Sequence, residues 1–94
     1  MRGSVASLHS PDYAPIRAEL IAMRQRAGLT QRELAARLGL RHTWVGKSEQ
    51  GERRVDLLEL FAWCRACGED IVVLVARLDR QIPGSHPHRR SNAA

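Results

Sequence analysis

The chain has 94 residues, 44% of them hydrophobic, enough for one domain with one modest core and too little for two. Its 15 Lys and Arg against 10 Asp and Glu leave a formal charge of +5, which favours a polyanionic partner. The longest apolar run, residues 71–76, is far short of the ~20 residues that span a bilayer, and residues 1–10 lack the apolar stretch of a secretory signal, so a cytoplasmic location is expected.

Residues 1–14 mix Gly, Ser, His and Pro without period and read as a flexible N-terminal arm. The first helix is expected to open at Pro15, a favoured first helical residue, to carry Ile16, Leu20, Met23 and Ala27 on one face, and to stop at Gly28. Thr30 and Glu33 form a capping box that opens the second helix, with Leu34, Ala35 and Leu38 facing inward and Gly39 as its stop. A third runs over residues 41–50, with Val45 inward, an outward face that is polar, and Gly51 after it. The fourth, capped by Asp56, presents Leu57, Leu60, Phe61, Cys64 and Cys67 at spacings of three and four before Gly68. Asp70 caps a fifth segment with Ile71, Leu74, Val75 and Leu78 on one stripe. Val72 and Val73 widen that stripe, and valines also suit strands, so helix and strand both stay open there. Residues 83–94 form a second aperiodic, basic and flexible tail. The expected fold is therefore all-α, with a five-helix domain over residues 15–82.

Little in the chain points to catalysis. Cys64 and Cys67 form a lone CxxC, whereas a structural zinc site needs about four ligands, so both read as small core residues. Of the four histidines, His9, His86 and His88 fall in the tails, and no Ser/His/Asp or paired-carboxylate arrangement lies on a recognisable pocket. No enzyme activity, metal or cofactor is expected.

The informative unit is a pair of short helices joined by a Gly-containing turn over residues 31–50. Ala35 supplies a small residue at the crossing, and Leu34, Leu38, Leu40 and Val45 supply the shared apolar contact. This is a helix-turn-helix, which projects its second helix from the body where it can enter a major groove. The segments GLTQRELAARLG and VGKSEQGERRVD resemble the phage-repressor and Cro-like, or Xre-type, helix-turn-helix family, and the resemblance extends more loosely over residues 16–78.

That resemblance implies a lambda-repressor-like fold, double-stranded DNA as partner, and roles for individual residues. Gln31 aligns with a glutamine that anchors a phosphate at the positive end of the second helix. Base readout falls to His42, Thr43 and Lys47, with Trp44 and Gly46 on the same surface; Lys47 either donates to a guanine edge or meets only phosphate. Arg41, Arg53 and Arg54 are placed to neutralise phosphates, with a solvated charged loop as the alternative for the last two. Arg24 and Glu49 match a structural pair that ties the first helix to the third. Two positions depart from the family pattern. Ser48 stands where a larger apolar residue is usual, and Gly46 weakens the recognition helix by about 1 kcal/mol relative to Ala. Trp44 either folds over the gap left at Ser48 or meets the DNA.

A domain of this size contacts few base pairs, so the expected function is a transcriptional regulator, a repressor acting as a homodimer on a palindromic operator. Leu58, Trp63, Val72, Val73 and Leu78 are the candidates for the dimer surface, unless they fill the monomer's own core. The alternative function is an antitoxin or adaptor that binds a protein partner through its C-terminal segment.

Overall fold

The computed structural model describes residues 13–82, which form five helices and no strand: α1 Ala14–Arg26, α2 Gln31–Leu38, α3 His42–Gln50, α4 Leu57–Cys67 and α5 Ile71–Gln81. Local chemistry sets most of their starts. The Thr30 hydroxyl accepts the Glu33 N–H at 3.0 Å while the Glu33 carboxylate accepts the Thr30 N–H at 2.8 Å. Asp56 and Glu59 form a second reciprocal box at the head of α4, at 2.8 and 2.9 Å. Asp70 accepts the Val72 N–H at 2.8 Å, and the valine-rich segment that follows is helical. Its β-branched residues cost little there, because the apolar stripe anchored by Leu74 and Leu78 outweighs local preference.

α1 packs against α3, α4 and α5; α2 packs against α3 and α4; α4 also touches α5. Between them lies one core of Leu20, Met23, Leu34, Ala35, Val45, Trp63, Cys64, Leu74 and Leu78. Trp63 is wholly buried at its centre, and its indole N–H donates to the Leu20 carbonyl at 3.2 Å, so the burial leaves no polar atom unpaired.

Trp63 and Leu78, expected as dimer-surface candidates, are therefore core residues. α4 is turned relative to the expected face: it buries Trp63 and Cys64, with Leu60 and Cys67 packed beside them, and leaves Leu57 66% exposed. Both sets of residues recur at three and four, and the largest side chain decides between them by burying the most area. Val75, expected on the inner stripe of α5, is likewise exposed.

Tyr13 corrects the expected arm of residues 1–14. Its ring is buried and its hydroxyl accepts the Val55 N–H at 3.1 Å, tying the start of α1 to the loop before α4. Ala14 is already helical, one residue ahead of the expected start at Pro15. The rest of the arm and the tail of residues 83–94 lie outside the described residues.

The end of the molecule formed by α1, α5 and the turn before α5 is held by charge. Arg77 donates to Glu19 at 3.1 and 3.2 Å and to Glu69 at 3.4 Å, while Arg26 reaches Glu69 at 2.8 and 2.9 Å. The Arg77 hydrogen bonds hold the Glu19 carboxyl below the usual carboxylate range despite its burial, and those from Arg26 do the same for Glu69. Both cysteines are free; burial pushes the Cys64 thiol up to about 11 and raises Cys67 as well, the behaviour of inert core thiols. Among the described residues no His, Cys, Asp and Glu side chains gather as a metal site, and no helix is long and apolar enough to cross a membrane.

Candidate nucleic-acid interface

α3 is a nine-residue helix with two unlike faces. Val45, Ser48 and Glu49 are buried, whereas His42, Thr43, Lys47 and Gln50 are exposed, as a period of 3.6 requires of positions on opposite sides. The turn before it depends on Gly39, whose φ of +71° lets the Gly39 and Leu40 N–H groups close α2 on Ala36 and Ala35 at 3.2 and 2.9 Å. At the far end Gly51 has a φ of +79°, a left-handed conformation that favours glycine, with the flexible Arg17 side chain lying over it.

The inner face is fixed by one carboxylate. Glu49 receives Arg24 in a two-pronged pair, Nε to Oε2 at 2.7 Å and Nη2 to Oε1 at 3.1 Å, and also accepts the Gln31 amide at 3.0 Å. Arg24 donates its remaining Nη1 to the Leu29 carbonyl at 2.9 Å. α1, α2 and α3 thus meet at a single side chain, and the Glu49 hydrogen bonds raise the Arg24 pKa further above its ordinary value.

Ser48 is wholly buried, and its hydroxyl donates back to the Trp44 carbonyl at 2.8 Å. The space that a larger residue would take is closed by Arg53. Its guanidinium lies 4.1 Å from the centre of the Trp44 ring, donates to the Ser48 hydroxyl at 3.2 Å, and pairs with Glu59 at 3.1 Å. Trp44 in turn packs 5.9 Å from Trp63, with the rings tilted by 39°. The ring of Trp44 is therefore half-buried, packed against Arg53 and Trp63. Arg53, expected as a phosphate contact, has both terminal nitrogens engaged inside the chain and serves as a brace for α3.

The other expected contacts remain outward. His42, Thr43 and Lys47 share the exposed face, Arg41 is exposed just before α3, and Arg54 is exposed with its guanidinium 5.7 Å from the Tyr13 ring centre. Gly46 is on the same side of α3, while Gln31 reaches it from α2. A ridge of Thr43 and Lys47 separates two grooves. The larger, about 560 Å³, is lined also by Leu40, Arg41, Trp44 and Arg53; the smaller, about 290 Å³, by Gln31, His42, Gly46 and Gln50. Glu52 borders both. Gln50 and Glu52 were not among the expected contacts. Gln50 was legible, lying one helical turn beyond Gly46 and Lys47; Glu52 follows the glycine stop, where helical period no longer predicts direction.

A profile of the helix-turn-helix domain family matches residues 16–78. An XRE-family like protein from Pseudomonas syringae pv. tomato str. DC3000 superposes with a TM-score of 0.73 at 40% identity, over 80% of this chain and 92% of that one. The chain belongs to the Xre-type helix-turn-helix family. This Xre-type chain is similar in fold also to the clp gene regulator ClgR from C. glutamicum, with a TM-score of 0.64 at 23% identity over 73% of this chain and 88% of that one. The search of curated proteins found no match. Family membership makes this a DNA-binding transcription regulator, and α3 is the second helix of its helix-turn-helix.

Proposed function

We propose that the protein is a sequence-specific repressor that binds a palindromic operator as a homodimer, with His42, Thr43 and Lys47 reading base edges from the major groove. The observation that carries this reading is the outward face of α3. Among the described residues its polar side chains have no hydrogen-bond partner, while its inner face is fixed by Glu49 and braced by Arg53. Donors and acceptors held in place yet unused inside the chain are what direct readout requires. Gln50 joins that face at its C-terminal end. Arg41 and Arg54 flank it and are suited to phosphates, which add affinity without sequence information.

Dimerisation is supported by apolar surface on the outer helices. Leu58 is 79% and Val72 70% exposed, and Leu57, Val73 and Val75 are also open to solvent. Two half-sites about one helical turn, ~10 bp, apart would then be read together. Repression follows from occupancy, since an operator covered by the dimer is closed to the transcription machinery.

Binding of the wild type and a Thr43→Ala, Lys47→Ala double variant to random and selected duplexes across a salt series tests the reading. The wild type is expected to select one palindrome, and the variant to lose that preference while keeping much of its salt-dependent binding to any duplex. Equal binding of all sequences by both proteins sinks it. Sedimentation of the protein alone and on its site tests the dimer, and a stoichiometric complex with a different protein in place of a dimer would favour the adaptor reading.

A further inference from the structure

The residues that line both grooves are Thr43, Lys47 and Glu52, so Glu52 continues the ridge past the C-terminal end of α3. Its backbone is held in place. The Glu52 N–H donates to the Lys47 carbonyl at 2.8 Å, and Arg53 after it is tied to Ser48 and Glu59. Its side chain is exposed and, among the described residues, has no hydrogen-bond or ion-pair partner. Other carboxylates are occupied: Glu19, Glu49, Glu59 and Glu69 pair with arginines, while Glu33, Asp56 and Asp70 cap helices. A free carboxylate thus stands in line with the residues offered to a polyanion, where no internal contact requires it.

A carboxylate accepts hydrogen bonds and donates none, and the same holds for a phosphate, so the two repel. Glu52 therefore subtracts from backbone affinity. Its place in the ridge decides what it can meet instead. When the ridge enters a major groove, the hollows on either side receive the two phosphate walls, and the ridge itself faces the base edges. The donors on that floor are the exocyclic amino groups of cytosine and adenine. Adenine sets the N7 acceptor beside its amino group, whereas cytosine presents N4 with no acceptor on its own edge. A lone carboxylate suits cytosine.

We propose that Glu52 is a specificity-determining residue that accepts a hydrogen bond from the N4 amino group of a cytosine. This rests on the DNA-reading function above. Lys47, its neighbour in the ridge, carries donors that suit guanine, so the two opposite charges ask for opposite partners. Away from such a cytosine, Glu52 meets acceptors or phosphate and is repelled. One side chain both favours its site and penalises other sequences.

The test begins with a duplex selected by the wild type from a randomised library, with copies that differ at single base pairs, and with a random duplex. Glu52→Ala is expected to lose discrimination at one C·G pair by about 5- to 150-fold, with other positions unchanged. It should also bind the random duplex more tightly than the wild type does, most of all at low salt, because a repelling charge has gone. These opposite signs separate lost reading from lost folding, which weakens binding to every duplex. Replacing that cytosine by 2-pyrimidinone, which lacks only the 4-amino group, should weaken the wild type far more than Glu52→Ala. Intact discrimination at every pair in Glu52→Ala, a loss at an A·T pair, or equal sensitivity of both proteins to the missing amino group overturns the proposal while the DNA-reading function stands. A wild type that selects no sequence overturns both, and does so before any variant is made.

Discussion

Two charge clusters hold this small domain, and they do different work. Arg24, Glu49 and Gln31 meet on the inner side of α3, with the Glu49 side chain 5% exposed; Glu19, Arg77, Glu69 and Arg26 meet on another side of α1, where the Arg77 and Arg26 side chains are 29% and 47% exposed. In the first, one carboxylate serves three helices and has no substitute. In the second, two arginines share two carboxylates, so each can partly cover the loss of another. Buried charge without redundancy fixes geometry, whereas solvated charge with redundancy mainly clamps.

The largest expected effect follows from breaking the first cluster. Glu49→Ala leaves Arg24 inside without its counter-charge and should cost about 3–5 kcal/mol in urea unfolding, with loss of DNA binding. Arg77→Ala should cost much less, about 1 kcal/mol, because solvent screens the guanidinium and Arg26 also approaches Glu19 at 3.5 Å. Below its melting transition that variant should bind DNA as the wild type does. A matching loss of DNA affinity would erase the distinction between the two clusters.

Acid sharpens the same contrast. Glu19 and Glu69 have folded pKa values below their unfolded ones, so their stabilisation is whole above the unfolded value and is lost as pH falls through the folded values. The melting-temperature gap between the wild type and Arg77→Gln should therefore narrow once pH drops below about 4, the ordinary range of a glutamate. A gap constant down to pH 2 would mean that packing, not charge, joins α5 to α1. The smallest expected effect is at the brace. Arg53→Ala should cost about 1 kcal/mol and uncover Trp44, seen as a red shift in emission from that residue while the buried Trp63 stays unchanged.

The parts legible in the sequence are those set by neighbours along the chain. Thr30 with Glu33, Asp56, Asp70, Gly39 and Gly51 mark helix ends through contacts two to four residues long, and the helix-turn-helix followed from them. The face of α4 was not legible, since LLELFAWCRAC offers apolar residues for more than one register and only the three-dimensional fit of Trp63 selects among them. The Glu19–Arg77 pair joins residues 58 apart in the chain, and no local pattern announces it. The bracing contacts of Arg53 were not legible for a related reason: they depend on the small Ser48 and on Glu59 being close in space. Tyr13 was read as part of an aperiodic arm because its partner, the Val55 N–H, is a backbone group that sequence does not display.

The division of α3 into a bonded inner face and an unbonded outer one also bears on how such a protein changes over time. Among the described residues the side chains of His42, Thr43, Lys47 and Gln50 have no hydrogen-bond partner, so these four positions can be exchanged together without disturbing Arg24, Glu49 or the Arg53 brace. A library randomised at those positions alone should stay largely folded while its members recognise different sites, which makes this domain a scaffold that can be re-addressed.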